Sequence, residues 1–290
     1  MPTTGFIGLG AMGSALAANL VAAGHEVLAY DIAGPSRTPA GAATPHSVKA
    51  VAERGGTVVL SLPDGRASGQ VAAELAACGA GRVTHVVDTS TIGIDAARSN
   101  AKVLADAGTG YVDAPVSGGV AGARARTLMI MVAGDPEACD RAAPVLGALS
   151  DRRLRVGDRA GMAQAVKLAN NFLSATALAA TSEAVSFACA VGVDMETMLE
   201  VLNKSSGQSA ATSDKLPNHV LNGRYASGFT NTLMAKDVGL YVGEAEGQGT
   251  SSIIARVTAA IWSRFAAEMP GTDFTRIFPF VDGSGPADSE

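Results

Sequence analysis

The segment GMAQAVKLANNFLSATALAATSEAVSFACAVG, residues 161–192, predicts a long helix that joins two differently built halves of the chain. Alanine, leucine, valine and phenylalanine occupy every face of this helix, which is typical of a helix that is buried nearly all round. Asparagine, serine and threonine interrupt the apolar residues before they reach the roughly 18 consecutive positions of a membrane span. We therefore expect a core helix and no membrane partner.

Four polar residues of this helix recur at the spacing i, i+3, i+4 and i+7, which places them on one face: Lys167, Asn170, Asn171 and Ser174. A lysine that is removed from water holds its proton less tightly, and it can act as a general acid or base near neutral pH. The alternative is that Lys167 lies at the helix start and extends its ammonium group into solvent. The helix alone favours this alternative, because lysine is rarely buried without a partner.

The composition predicts a globular protein with two domains, since the chain has 290 residues, of which 47% are hydrophobic and 17% charged. The formal net charge is -5 and the chain has no run of lysine or arginine, which argues against nucleic acid as a partner. Three cysteines and four histidines are scattered without the spacing of a disulfide framework or a metal site. The N-terminus has no basic segment before an apolar core, so we expect a cytoplasmic protein without a signal peptide.

Residues 3–31, TTGFIGLGAMGSALAANLVAAGHEVLAYD, predict a strand, a glycine turn, a helix, a second strand and a closing acid. This order is the context that a dinucleotide-binding GxGxxG turn requires. The first glycine allows the tight turn, the second lets backbone N–H groups approach a pyrophosphate, and the third lets the helix pack closely. The predicted contacts of the cofactor in this turn are Gly8, Gly10, Ala11, Met12 and Gly13.

Asp31 ends the second predicted strand, where an acid accepts a hydrogen bond from the 2′-hydroxyl of an adenosine ribose. This position favours NAD over NADP, whose 2′-phosphate the carboxylate would repel. Arg37 follows in the next loop and is the candidate partner of a 2′-phosphate. It stands beyond Gly34 and Pro35, some way past the strand, so we give Asp31 more weight and keep NADP as the alternative.

Further strand patterns recur at the spacing of βαβ units, with helical patterns between them: Thr57–Leu62, His85–Thr89, a strand that begins at Tyr111, and Thr127–Ala133. Loops at the carboxyl edge of a parallel sheet bind ligands in doubly wound folds. Leu62, Pro63 and Thr91 lie in two such loops and are candidate cofactor contacts. The alternative is that they are ordinary loop residues.

The segment DAPVSGGVAG, residues 113–122, contains a hydroxyl residue before two glycines, Ser117, Gly118 and Gly119. A turn of this composition can direct successive backbone N–H groups at an anion such as a carboxylate. The alternative is a glycine turn that only connects two strands. After residue 192 the pattern is helical, with a polar loop predicted at Ser205–Asp214 and a fraying tail at Asp282–Glu290.

Four motifs, GFIGLGAMGSALAANL, DAPVSGGVAGA, GMAQAVKLANN and AKDVGL, occur in an order and spacing that resemble the β-hydroxyacid dehydrogenase family. The resemblance covers nearly the whole chain. It implies a doubly wound Rossmann-type α/β domain at residues 1–162 and an all-helical domain at residues 163–290 that starts with the long connecting helix. It also implies NAD(P)-dependent interconversion of a small 3-hydroxy acid and its semialdehyde by a homodimer or homotetramer.

The resemblance also implies roles for individual residues. Lys167 matches the catalytic lysine of the family and Asn171 its helix asparagine, which reverses the preference for a solvated Lys167. Ser117, Gly118 and Gly119 match the substrate-binding turn, and Thr91 and Lys236 match cofactor contacts. Two positions depart from the family pattern, because Ala163 replaces a second glycine before the lysine and Ile94 replaces a proline after Thr91.

Two other functions are compatible with the fold that the resemblance implies. One is imine reduction, which relatives perform with other residues at the lysine position. The other is a dinucleotide-binding module without turnover. Lys167, Asn171 and Ser117 together argue against both, and the sequence does not identify the acid.

Overall fold

Residues 3–30 fold into the strand–helix–strand unit that the glycine pattern predicts. Strand β1 (Thr3–Ile7) leads into helix α1 (Ala11–Ala22), and β2 (Glu26–Tyr30) returns parallel to β1. Gly24 adopts φ +85° just after α1, where a left-handed residue ends a helix. The computed structural model describes residues 3–54, 56–79 and 82–283, which form two compact units, one ending at Lys167 and the other beginning at Leu168.

The first unit contains an eight-stranded sheet among its described residues, completed by β3 (Gly56–Leu60), β4 (Val83–Asp88), β5 (Gly110–Asp113), β6 (Val116–Ser117), β7 (Met129–Gly134) and β8 (Arg153–Gly157). The strand order is β2-β1-β3-β4-β5-β7-β6, and β8 pairs with β7. Strands β1 to β5 run parallel to one another, as the βαβ spacing predicts.

The prediction that residues 127–133 form a strand at βαβ spacing is wrong in the direction of that strand, β7. It runs antiparallel to β5 and β6, because a short strand and the six-residue helix α5 (Gly119–Arg124) precede it instead of a crossover helix. Strand β8 has no counterpart in the sequence prediction. Its residues RLRVG are mostly exposed, so they lack the apolar pattern by which buried strands are recognised.

Helices cover both faces of the sheet, as in a doubly wound fold. Helix α1, α5 and α6 (Pro136–Leu149) pack on one face, while α2 (Val48–Ala52), α3 (Gly65–Ala77) and α4 (Ile94–Asp106) pack on the other. Several of these helices begin at a side chain that accepts a backbone N–H of the first turn, such as Asp64 for α3 and Asp135 for α6.

The predicted long helix is present as α7 (Met162–Ala190), which has 29 residues. The prediction that it is buried nearly all round is wrong, because Leu173 is 64% and Phe187 is 72% exposed. The apolar pattern covers every face of the helix, whereas the packed neighbours cover only some of them. Among the described residues, α7 is the one helix whose length and apolar composition would suit a membrane span, a test that core helices of soluble proteins also pass.

The second unit is helical. After α7 it contains α8 (Met195–Asn203), a π-helical segment (Ala211–Val220), α9 (Asn231–Gly247), α10 (Ile253–Glu268), a 3₁₀ turn (Phe274–Arg276) and α11 (Ile277–Asp282). Its core is built around the aromatic side chains of Trp262, Phe265 and Phe274. In the described part of this unit, strand pairing is limited to one bridge between Thr230 and Asp273.

One prediction for this unit changes. The loop predicted at Ser205–Asp214 becomes helical from Ala211, because Ser209 accepts hydrogen bonds from the backbone of the first turn and from Ser213. The predicted tail at Asp282–Glu290 lies outside the described residues from position 284 onwards.

Candidate active site

The glycine turn after β1 has room for a ligand at one position and none at the other two. Gly8 has φ +97°, and a Cβ there would lie 2.2 Å from the carbonyl oxygen of Ser61. A Cβ at Gly13 would lie 1.9 Å from the carbonyl oxygen of Gly8, so α1 packs against the turn backbone. Apart from Gly10 itself and its two chain neighbours, none of the described residues would have a heavy atom within 4 Å of a Cβ at Gly10.

The open side of Gly10 therefore faces the start of α1. Gly10 is the N-cap of this helix and Ala11 and Met12 are its first residues, so the first N–H groups meet no capping side chain. Such a helix start attracts phosphate groups, and the contact of Gly10 with the pyrophosphate of a dinucleotide stays a prediction.

Asp31 holds the glycine turn against the end of β2. Its Oδ2 accepts a hydrogen bond from the backbone N–H of Leu9 at 2.5 Å, and its Oδ1 accepts one from Ala33 at 2.7 Å. Each carboxylate oxygen can accept a second hydrogen bond, so these contacts leave capacity for a ribose hydroxyl.

Arg37 lies in a 3₁₀ turn (Pro35–Arg37) and is exposed. It lines an open cavity of about 370 Å³ beside α1, together with Arg124, Ser14 and Asn19. The sequence analysis did not single out Arg124. Two guanidinium groups beside the start of α1 make this cavity a candidate for a phosphate group.

The two loops that follow β3 and β4 are joined at the carboxyl edge of the sheet. The backbone N–H of Leu62 donates to Ser90 Oγ at 2.8 Å, and Ser90 N–H donates to Asp88 Oδ1 at 3.0 Å. Pro63 is exposed and Thr91 is partly exposed beside this junction. The structure therefore brings the segments of Leu62 and Thr91 together, while their contact with a cofactor stays a prediction.

Asp88 is a fully buried acid that the sequence analysis missed. Its Oδ2 accepts hydrogen bonds from Ser68 Oγ at 2.5 Å and from Tyr111 Oη at 3.2 Å. Burial raises the pKa of Asp88, although these hydrogen bonds act in the opposite direction. An acid at the end of an apolar strand is the sequence signal that would have identified it.

Asp113 ends β5 and is a second buried acid. Its carboxylate accepts hydrogen bonds from the side chain of Gln164 at 2.7 Å and from the backbone N–H groups of Gly161 and Gln164 at 2.9 and 3.1 Å. Burial raises the pKa of Asp113 to about 6, while its hydrogen bonds oppose that rise. The carboxylate is thus mainly ionised at neutral pH, which agrees with three donors facing it.

The predicted anion-binding turn has the backbone of a glycine-specific connection. Gly118 has φ +130° and Gly119 has φ +67°, and they link β6 to α5. A Cβ at Gly118 would lie 3.1 Å from Leu128 Cδ2. Ser117 is partly exposed beside them. The geometry requires glycine there, and carboxylate binding stays a prediction.

The polar face of α7 is divided between buried and exposed side chains. Lys167 is 8% exposed and Asn171 is 5% exposed, whereas Asn170 is exposed. Lys167 therefore does not extend into solvent, and the solvated alternative considered for it is wrong.

Asn171 is oriented by an acid that follows Lys236. Its Nδ2 donates to Asp237 Oδ2 at 2.6 Å, and its Oδ1 accepts from Asn170 Nδ2 at 3.1 Å. Asp237 is 2% exposed, and Lys236 Nζ lies 3.0 Å from its Oδ1. The motif AKDVGL predicts a role for Lys236 and none for Asp237, although a buried acid in a helix requires partners. Among the described residues, no group of three His, Cys, Asp or Glu side chains is arranged to hold a metal ion.

Comparison with known proteins places both parts of the chain in one family. Residues 3–157 match the NAD binding domain of 6-phosphogluconate dehydrogenase, and residues 161–281 match the NAD-binding domain of NADP-dependent 3-hydroxyisobutyrate dehydrogenase. The 3-hydroxyisobutyrate dehydrogenase of Pseudomonas aeruginosa is 34% identical over 96% of this chain and 97% of its own length. The 2-(hydroxymethyl)glutarate dehydrogenase of Eubacterium barkeri is 39% identical over 81% of this chain and 80% of its own length.

A solved structure gives the same result. The Mycobacterium tuberculosis 3-hydroxyisobutyrate dehydrogenase, solved with L-serine, has a TM-score of 0.88 and 33% identity, and the match covers 97% of this chain and 99% of that one. The match to this structure covers nearly all described residues, and so do the two domain matches taken together. The chain therefore belongs to the 3-hydroxyisobutyrate dehydrogenase family and is an NAD(P)-dependent dehydrogenase of the β-hydroxyacid class.

Proposed function

We propose that this enzyme interconverts a small 3-hydroxy acid and its semialdehyde, with Lys167 as general acid and base. The observation that carries the proposal is the burial of Lys167 on α7, one helical turn before Asn171. The amide of Asn171 is itself held by Asp237 at 2.6 Å. An ionisable group and an oriented amide at i and i+4 supply a proton acceptor and a fixed hydrogen-bonding group on one helix face.

In the proposed mechanism Lys167 moves the proton. A nicotinamide cofactor supplies the hydride acceptor at its C4 atom when it is bound. During oxidation, neutral Lys167 Nζ accepts the hydroxyl proton as the carbon–hydrogen bond breaks and its electron pair leaves as hydride. During reduction, the ammonium form returns a proton to the carbonyl oxygen. Asn171 orients the hydroxyl group, and most of the rate enhancement comes from position.

For the substrate carboxylate we propose Ser117, Gly118 and Gly119. Successive glycines with positive φ leave backbone N–H groups accessible to an anion without a side chain in the way. The names of two relatives describe hydroxy acids with one common group, a primary hydroxyl on the carbon next to the carboxylate-bearing carbon. We propose this group as the substrate feature that the enzyme recognises.

For the cofactor we propose NAD, because the Asp31 carboxylate at the end of β2 would repel a 2′-phosphate. The proposed contacts are Gly8, Gly10, Ala11, Met12, Gly13, Leu62, Pro63, Thr91 and Lys236. The cavity lined by Arg37 and Arg124 supports the alternative, NADP, since two guanidinium groups suit a phosphate. We further propose a cytoplasmic homodimer or homotetramer.

An absorbance assay for reduced nicotinamide tests this function. The assay uses 3-hydroxyisobutyrate, 2-(hydroxymethyl)glutarate, L-serine and glycerate, each with NAD and with NADP. Every acid is paired with its methyl ester, which keeps the hydroxyl and removes the negative charge. We expect turnover of at least one acid, slower turnover of its ester by tenfold or more, and higher kcat/KM with NAD.

Four outcomes would contradict parts of the proposal. Equal turnover of acid and ester would mean that Ser117–Gly119 does not recognise the substrate through its carboxylate. A clear preference for NADP would transfer the cofactor assignment from Asp31 to Arg37 and Arg124. Reduction of a cyclic imine without turnover of any hydroxy acid would establish an imine reductase, and cofactor binding without any turnover would establish a non-catalytic module.

A further inference from the structure

Gln164 lies three residues before Lys167 and is completely buried. Its Nε2 donates to Asp113 Oδ1 at 2.7 Å and to the carbonyl oxygen of Ser90 at 3.1 Å. Its Oε1 accepts the backbone N–H groups of Ile92 at 2.9 Å and Gly93 at 3.3 Å. A glutamine amide has two donor hydrogens and two acceptor lone pairs, so these four contacts use all of them.

These contacts connect three segments of the first unit. One is the start of α7, the second is the loop of residues 90–93 after β4, and the third is Asp113 at the end of β5. The loop contains Thr91, for which we propose a cofactor contact. Gln164 therefore bonds directly to the residues on both sides of Thr91 and stands on the helix that carries Lys167.

Asp113 completes the connection by capping α7 from another strand. Gly161 precedes the first residue of α7 and has no side chain with which to cap it. The Asp113 carboxylate accepts the N–H groups of Gly161 and Gln164, and the second of these is the contact with the third helical residue that an N-cap side chain normally makes. The contacts with β5 and with the loop after β4 thus fix the first turn of α7, both along the helix axis and in its rotation about that axis.

A purely structural role is the competing explanation. Buried apolar side chains would join helix and sheet without the desolvation that a buried amide and carboxylate require. A saturated polar network is directional, because it defines distances and angles as well as contact. That directionality matters for a proton-transfer group, since a displacement of about 1 Å lowers the rate of a positioned reaction by about 100-fold.

We propose that Gln164 and Asp113 are positioning residues that hold Lys167 of α7 in register with the Thr91 loop. This inference rests on the proposed roles of Lys167 and Thr91. It predicts that loss of the Gln164 amide lowers kcat through misplacement of Lys167, beyond what a general loss of stability produces.

The first test is Gln164→Met, which preserves length and removes all four hydrogen bonds. We expect kcat to fall about 10- to 100-fold, with KM for the hydroxy acid changed by less than about threefold. The matched control is Ser150→Ala, which removes a buried hydroxyl that donates to Arg126 and Leu128 in the same unit. That variant should lose thermal stability and retain kcat.

The second test is Gln164→Glu, which retains an acceptor for Ile92 and Gly93. Ionised, it places a carboxylate beside Asp113, and protonated, it can donate to Asp113 as the glutamine does. The ratio of variant to parent kcat should therefore rise as the pH falls from 8 to 6, by fivefold or more. The charged groups of the surrounding elements, Asp88 of β4, Asp113 of β5, Arg98 of α4 and Lys167 of α7, are present in both proteins, so the parent kcat at each pH is the reference for their own titration.

The third test does not require activity. Hydrogen exchange at the amides of Ile92 and Gly93 should accelerate at least tenfold in Gln164→Met, while the Val59 and Val87 amides inside the sheet should not change. Absence of turnover in the parent enzyme would refute the proposed function, and the exchange data would still decide whether the anchor exists.

Several results would overturn the positioning role. One is a kcat of Gln164→Met within twofold of the parent kcat. Another is a decrease in kcat no larger than that of Ser150→Ala when the two variants have the same Tm. The third is unchanged hydrogen exchange at the amides of Ile92 and Gly93. If Gln164→Met does not fold, Gln164→Glu decides the question, because a kcat ratio that does not vary with pH contradicts the proposal.

Discussion

Lys167 is the residue whose substitution tests the chemistry most directly. If it is the general acid and base, Lys167→Ala should lower kcat by about 10²- to 10⁴-fold while cofactor affinity and Tm stay close to the parent values. Lys167→Arg should not restore turnover, because a guanidinium group does not release its proton in this pH range. Steady-state kinetics and cofactor titration measure both.

The control for this substitution is Lys204→Ala. Lys204 is an exposed lysine that directly follows α8 and pairs with Glu200 of that helix, so its removal should leave kcat unchanged. Turnover of Lys167→Ala near the parent rate, in a folded protein that binds the cofactor, would mean that another group transfers the proton.

The lowered pKa of His85 predicts how the free energy of unfolding changes as the pH falls. The ring lies between the hydroxyl groups of Thr57 and Thr84, and burial, with a smaller contribution from the charge of Arg141, lowers the pKa of His85 from 6.5. The unfolded chain therefore binds this proton at a higher pH than the folded chain does. Its stabilising contribution is present above pH 6.5 and is lost as the pH falls towards the lowered value.

We expect the Tm of the parent to fall more between pH 7.5 and pH 5.5 than the Tm of His85→Gln. The raised pKa of Asp113, about 6, has the opposite sign, because it stabilises the folded state as the pH falls. That contribution is common to both proteins and cancels in the difference. Thermal melts above pH 8 are the internal control, and parallel Tm curves over the whole range would contradict the assignment.

At the scale of elements, the turn between β1 and α1 contains one glycine that folding requires, Gly13, and one that we propose cofactor binding requires, Gly10. Gly13→Ala should lower Tm by many degrees or prevent folding, because its Cβ would lie 1.9 Å from the carbonyl oxygen of Gly8. Gly10→Ala should retain Tm, because its φ of −60° suits alanine and its Cβ would meet open space. It should nevertheless weaken cofactor binding tenfold or more, because the methyl group occupies the proposed pyrophosphate position.

Thermal melts and cofactor titrations of the two variants measure these effects. Unchanged cofactor affinity in Gly10→Ala would show that the dinucleotide approaches α1 from another side. Normal stability of Gly13→Ala would contradict the close packing of α1 on the turn.

At the scale of the whole molecule, the exposed apolar side chains of the second unit favour self-association. Leu173 and Phe187 of α7 are 64% and 72% exposed, and Ile253 and Val257 of α10 are 75% and 60% exposed. We expect light scattering after size exclusion to give two or four times 29.1 kDa. Leu173→Ser combined with Phe187→Ser should shift this mass towards the monomer.

Ile32→Ser is the control for that experiment. Ile32 is 94% exposed in the first unit and lies after β2, so its replacement removes an apolar side chain without altering the proposed interface. A parent protein with the mass of one chain would refute the oligomer, and an equal effect of Ile32→Ser would indicate nonspecific association.

The sequence by itself determined the features that depend on neighbouring residues. The glycine turn at Gly8–Gly13, with the strand before it and the helix and strand after it, follows from periodicity and from glycine within a few positions. Local signals of this kind located the long helix and Lys167 as well. The resemblance of four motifs then added the predicted roles of Lys167 and Lys236, and these roles stay predictions.

Only the tertiary structure decided which distant residues meet. Gln164 bonds to Ile92, which lies 72 residues away in the chain, and Asn171 bonds to Asp237, which lies 66 residues away. The antiparallel direction of β7 and the exposed faces of α7 likewise depend on neighbours that are remote in sequence. A buried polar side chain needs a hydrogen-bond partner within about 3 Å, and the tertiary fold decides which residue lies at that distance. The local sequence pattern does not encode this choice.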